Sequence, residues 1–358
     1  MTLLCAFFLA TPMALPQEDT LTLLDGKLVS GKITEATLEK VQVNKPNGDK
    51  KEYSSQSILF ARFGSLSSGM NKGEEFLSKF DFANAVASFS SEESQGHRLE
   101  YWARLRKAET LSIWGKIDLG QSRKAENAFK DWLARYPDNF FVPRARQGLA
   151  FAMARNGQVD EAAKELEAVA ALAFDKSLPP HVEIQARLAR CEVRLLHGQP
   201  GVAKTRLEDI VTKIENATQD RSTSSALKSH LERMKSQAQV ALGDSIELKD
   251  GMAASQRYWE NLLSKANLSM EVRAAATIGL ARAANSSGQV RESQILLAKV
   301  VATMPASPKV TSKALWFLAE ISAELGDSPI PSKTYYQRLV DDYPFSSWGI
   351  LAQKRLSG

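Results

Sequence analysis

KAENAFKDWLARYP, residues 124–137, places a small residue at Ala125, a large apolar one at Phe129 and a proline at Pro137. Positions four apart share one face of a helix. Ala125 therefore lets a neighbouring helix approach while Phe129 fills the space beside it, and Pro137 stops the helix. The same spacing returns as Ala85/Phe89 and Ala162/Leu166, and further prolines close later segments at Pro305 and Pro344. A recurring two-helix unit predicts a stacked array of hairpins, which buries a continuous core by repetition and presents a binding surface.

Working outward, the first hairpin shows Gly73, Phe76, Ala85 and Phe89, and the second Trp102, Leu105, Ala125 and Phe129 across a long turn, WGKIDLGQSR. The third is the clearest, with Leu149, Ala150, Met153, Ala162 and Leu166. Gly157 is its left-handed helix stop, and Asp160 starts the next helix, where a carboxylate suits the positive end of the dipole. The fourth repeats this at Cys191, Gly198, Ala203 and Leu207 after Pro179-Pro180. The fifth is degenerate, with a long helix over about 224–242 and a second near Ala254 and Tyr258, and the repeat register over 180–265 stays open. The sixth shows Leu280, Ala281, Gly288, Ser293 and Leu297, the seventh Trp316, Leu318, Ala319 and Tyr336. SSWGILAQKRL (346–356) closes the stack as a capping helix.

The first 66 residues read differently. Residues 1–17, MTLLCAFFLATPMALPQ, carry no charged side chain, and the apolar run Leu3 to Ala10 is too short to span a bilayer as a helix. They are expected to be a secretory signal peptide. Removing them leaves Cys191 as the one cysteine, so no internal disulfide forms. Residues 18–66 alternate, with Leu21 and Leu23, then Val41 and Val43, and with turn signals at Asp25-Gly26 and Asn47-Gly48. Four or five short antiparallel strands are expected, closed into a small barrel that hides its edges. GSLSSG (64–69) reads as a hinge, and residues 67–358 form the helical array.

The chain has 358 residues, 44% hydrophobic and 24% charged, which excludes global disorder. The net charge is +5. The strand region balances its charges, so the excess lies in the helical part, and it is small for a nucleic-acid binder.

The repeated small–large pairs and terminal prolines resemble the tetratricopeptide repeat (TPR) family over residues 68–356. The fold implied is mainly α, a TPR-like helical-hairpin solenoid preceded by a small antiparallel β-barrel-like domain. ENAFKDWLARYPDN and KTYYQRLVDDYPFSSWGILAQKRL are similar to the envelope-type repeats of bacterial Tol-Pal-associated and outer-membrane-assembly proteins, and this with the leader implies export to the periplasm or cell envelope. The β-domain weakly resembles SH3-like or Sm-like barrels.

Motifs for catalysis are missing: no His-Glu-x-x-His, no Gly-x-Ser-x-Gly, no Gly-x-x-x-x-Gly-Lys. The histidines at 97, 181, 197 and 230 lack metal-ligand spacing and read as helix-end or surface residues. A non-enzymatic scaffold without cofactor or metal is expected, recognising a protein or peptide partner. In the family the first helices of the hairpins line a concave groove. Here they would present Arg144, Gln147, Phe151 and Arg155 from the third hairpin and Arg282 and Asn285 from the sixth. The fourth adds some of Arg187, Arg190, Arg194 and Glu192. Such a groove favours an acidic or C-terminal peptide through charge-assisted hydrogen bonds; the alternative is that these arginines pair with nearby Glu on the helix surface. Two other functions compete: an Sm-like nucleic-acid module fused to the scaffold, disfavoured by its neutral charge and lack of stacking aromatics, and an accessory subunit of an envelope enzyme.

Overall fold

The computed structural model describes residues 18–64, 66–93, 98–304 and 306–357. The expected signal peptide (1–17), His97 and Pro305 lie outside them. Five strands come first: β1 (Asp19–Leu23), β2 (Leu28–Ala36), β3 (Lys40–Asn44), β4 (Lys50–Ser54) and β5 (Ile58–Arg62). Gly26 and Gly48 take positive φ at the two expected turns. Leu21, Val41 and Val43 point inward, as alternation requires.

The sheet is not the closed barrel expected. Its order is β4-β3-β2-β1-β5, antiparallel throughout, with β4 and β5 unpaired at opposite edges. Each edge is protected differently. β4 reads KKEYS and is guarded by exposed charges. β5 is covered by helices: Leu59 packs with Ile184 and Leu227, and Phe60 lies edge-on to His230 with ring centroids 4.9 Å apart. Closure is unnecessary where the array itself shields the edge.

The array alternates first and second helices: α1 (Ser68–Ser78) with α2 (Phe82–Glu93), α3 (Glu100–Trp114) with α4 (Leu119–Arg135), α5 (Val142–Arg155) with α6 (Val159–Asp175), and α7 (Pro180–Leu196) with α8 (Pro200–Gln219). It continues as α9 (Ser225–Asp250) with α10 (Met252–Leu263), α11 (Met270–Ser286) with α12 (Val290–Thr303), and α13 (Pro308–Leu325) with α14 (Ser332–Asp342), closed by α15 (Ser347–Ser357). The expected small–large pairs are core: Ala85, Phe89, Ala125, Phe129, Ala162 and Leu166 are buried. Gly157 and Gly288 take φ +87° and +83° at equivalent hairpin turns, a backbone that side-chain-bearing residues rarely adopt.

Three details depart from the sequence reading. The turn after α3 is short, because Asp118 caps α4 by accepting from the Gly120 N–H at 2.8 Å. The long helix of the fifth hairpin runs to Asp250, not 242. GSLSSG is no free hinge: the Gly64 N–H donates to Asp19, Leu66 packs into two clusters, and α1 starts at Ser68 with Ser67 as its cap.

Sheet and array share one core, in which Leu21, Ile33, Val41 and Ile58 pack with Leu105, Phe129 and Phe141. Two backbone bonds stitch the seam: the Leu38 N–H donates to Asp138 O at 2.7 Å, and the Phe140 N–H donates to Ala36 O at 3.1 Å. At its centre the Asp19 carboxylate is fully buried. It accepts from the Ile33 N–H at 2.8 Å and from Arg98 Nη1 at 2.6 Å. A buried charge is tolerable when paired and hydrogen-bonded in this way.

Candidate functional site

The six residues expected to line one groove fall in separate places. Arg144, Gln147 and Phe151 occupy one face of α5 and line a cavity of about 480 Å3 between the sheet and the N-terminal ends of α5 and α7. Arg144 is held in a fork by Glu109 of α3, with Nη2 to Oε2 at 2.8 Å, and its guanidinium lies 5.0 Å from the centre of the Trp102 ring. Arg282 of α11 pairs with Glu247 of α9 and lies 4.5 Å from the centre of the Phe317 ring. Asn285, one turn on, keeps a buried Oδ1 with no partner in the described structure.

The arginines of the fourth hairpin are paired too. Arg187 binds Glu183 at 2.8 Å, Arg190 binds Glu167, and Arg194 binds Asp160 at 2.8 Å. For these, and for Arg144 and Arg282, the structure shows the pairing with nearby acids that the sequence left as the alternative. All of these pairs except Arg187–Glu183, which lies within α7, join neighbouring helices, and they leave little free charge for a ligand.

Arg155, at the end of α5, is different. Its Nη1 donates to the carbonyl and hydroxyl oxygens of Ser112 at 3.0 and 2.9 Å, and no carboxylate among the described residues pairs with it. Lys116, in the α3–α4 turn, lies within electrostatic reach of Arg155, of Glu192 on α7 and of Lys309 on α13. Lys309 pairs with Glu192 at 2.7 Å across 117 residues of sequence. Lys116 and Lys309 remain solvent-exposed although protein surrounds them, as on the wall of a concave surface. Crowding and the Arg155 charge hold the Lys116 ammonium below its ordinary pKa. Against the cost of the same crowding, Glu192 holds Lys309 above its own. The next inner pair is Lys313 with Asp244.

The concave face therefore bends until α13 meets α7. The ends of the array meet as well: Phe345, between α14 and α15, touches Phe80 and Phe82 of the first hairpin with ring centroids 4.6 and 4.9 Å apart. Sequence reasoning missed Lys116 and Lys309, since no local spacing links the α3–α4 turn to the start of α13.

Two of the histidines meet: His181, at the N-terminal end of α7 as the helix-end reading expects, and His230 in the second turn of α9. His181 is buried and its ring lies edge-on to His230, with centroids 5.1 Å apart. Cys191 is a buried core residue, as expected, and burial pushes its thiol pKa up to about 11, which keeps it unreactive. Among the described residues no group of three His, Cys, Asp or Glu is placed to hold a metal, and no helix is long and apolar enough to cross a membrane.

No family model matches this chain, and no curated protein does. Among solved structures it is similar to a tetratricopeptide repeat protein from Parabacteroides merdae, at 12% identity over 75% of this chain and 90% of that one, with TM-score 0.47. It is also similar to the C-terminal part of a TPR repeat-containing protein from Cytophaga hutchinsonii, at 12% identity over 79% and 98%, TM-score 0.39. A kinesin light chain-like protein of nearly identical TPR-like repeats from Podosopora anserina aligns at 23% identity over 56% and 94%, TM-score 0.39. The chain's own helices form a TPR-like helical-hairpin array, carrying a five-stranded open sheet.

Proposed function

We propose that this protein is an exported, non-enzymatic scaffold of the cell envelope, and that it holds a protein partner by an acidic segment seated beside Lys116, Arg155 and Lys309. The observation that carries the reading is the convergence of Lys116, Arg155 and Lys309 on the carboxylate of Glu192, with Asp244 and Glu271 acting on Lys309 and with neither Lys116 nor Arg155 in an ion pair among the described residues. Carboxylates of a partner would relieve that excess through charge-assisted hydrogen bonds. A helical-repeat array suits the role, because stacking creates an extended concave surface without needing a reaction centre. Export rests on the uncharged, apolar segment 1–17.

The test is a pull-down from envelope extract with residues 18–358, wild type against K116E/R155E. Arg144 and Arg282 are left alone, since reversing them would break their pairs with Glu109 and Glu247. Wild type should retain a partner that salt releases, because the cluster is water-exposed and screened within about 8 Å at physiological ionic strength. The double variant should lose it. Equal recovery by both would remove the cluster from the account.

A further inference from the structure

The turn of the first hairpin is built at a cost that later turns avoid. In the third, fourth and sixth hairpins the second residue past the first helix is Gly157, Gly198 or Gly288, with φ +87°, +71° and +83°. The equivalent residue after α1 is Phe80, with φ +60°. The turn bonds are the same. The Phe80 N–H donates to Leu77 O and the Asp81 N–H to Phe76 O, as the Gly157 N–H donates to Ala154 O and the Gln158 N–H to Met153 O. Glycine takes this left-handed backbone freely, whereas a bulky side chain takes it only under strain. Such strain persists where the surroundings over-determine it. Phe80 is 50% exposed, so burial within its own hairpin does not account for it.

What Phe80 reaches is Phe345, between α14 and α15 at the far end of the array, with ring centroids 4.6 Å apart. Phe345 also meets Phe82 at 4.9 Å, and Phe82 stacks on Trp114 of α3 at 6.0 Å. One ring after the last hairpin thus bears on the first two hairpins. The last hairpin makes a second long-range contact, Lys309 with Glu192, but these side chains are 67% and 44% exposed, and water and salt weaken such a pair. Closure also brings Lys309 toward Lys116, and the two like charges repel. We propose that Phe80, Phe82 and Phe345 form a clasp that locks the array into its closed curve, and that releasing it swings the last hairpin away from α7 and uncovers the inner face. The rings favour closure and the cations oppose it. The clasp goes beyond the partner reading and stands or falls without it, since it concerns only the shape of the chain.

The test measures the distance between the two ends by double electron–electron resonance. Spin labels are attached through Ala87→Cys in α2 and Gln353→Cys in α15, both exposed positions, in the full-length chain with Cys5→Ser; Cys191 is buried. With the three rings intact the distance distribution should be one narrow peak. It should stay in place at about 1 M NaCl, where charges are screened within about 3 Å and ring contacts are not. Phe345→Ser forfeits two ring contacts and should make a longer, broader distribution the major one, a shift of about 20-fold in the ratio of open to closed. Phe80→Gly removes one ring contact together with the backbone strain, so it should open the array in part while leaving the first hairpin sound. Circular dichroism checks that both variants are folded. A broad distribution with the rings intact, a narrow peak that salt abolishes, or an unchanged peak in both variants would each overturn the proposal.

Discussion

At the residue scale, His181 couples the seam to pH. Its pKa is about 3 in the folded chain, against 6.5 for the free side chain, through burial and then through His230. His230 is itself lowered by burial and by Arg233, which contacts its ring at 3.1 Å. The other ring facing the pair, Phe60, carries no charge. A base with a lowered folded pKa stays neutral when the unfolded chain takes up a proton. Stability is therefore untouched above pH 6.5 and is lost as pH falls from there toward 3, by up to about 1.4 kcal/mol per pH unit. Denaturant unfolding between pH 6.5 and 5, above the range where carboxylates titrate, should show this slope in wild type and a shallower one in His181→Phe. The meeting of these histidines was illegible in the sequence, because residues 181 and 230 start different hairpins, whose first helices α7 and α9 pack together beside Phe60 of β5.

At the element scale, the array works by pairing glycine on one helix with a large ring on the next. An added Cβ would stand 2.4 Å from Phe89 at Gly73 and 2.3 Å from Phe129 at Gly148. In the degenerate fifth hairpin, Trp259 of α10 is pressed between Gly243 of α9 and Gly279 of α11, where a Cβ would stand 1.9 and 2.1 Å from the indole. Gly279→Ala should accordingly cost about 3 kcal/mol by overpacking, read as a lower urea midpoint. Gly201→Ala, whose Cβ would meet only Lys249 at 3.5 Å, should leave the midpoint within about 0.5 kcal/mol of wild type. A midpoint unchanged by Gly279→Ala would mean that the α9–α11 contact is looser than described. The hairpins with Ala–Phe spacing were legible because a single four-residue step encodes them. The fifth was not, since its small residue is Ser255 and its buried ring is Trp259, each one position past the Ala254 and Tyr258 that the sequence suggested. The strands were legible from alternation. Their failure to close was not, because what protects β5 is supplied by Ile184, Leu227 and His230, far along the chain.

At the scale of the whole molecule, the sheet docks on the N-terminal ends of α5, α7 and α9, and the array curls until Phe345 touches the first hairpin. This curvature divides the six expected groove residues between a seam cavity and an inner face. It also gathers Lys116, Arg155 and Lys309 around Glu192, a cluster that depends on contacts across more than a hundred residues. The inner face is where the account places the partner. The most direct test is photo-crosslinking in cells. A photoreactive residue would replace Leu196, an exposed side chain one turn beyond Glu192, or, as the outer control, Phe174 at the end of α6, which is 80% exposed. The expected result is an adduct at 196 that maps to an acidic segment of one partner and disappears in the K116E/R155E background, with no such adduct at 174. Capture of the partner at 174 alone, or at 196 regardless of the two charge reversals, would contradict it.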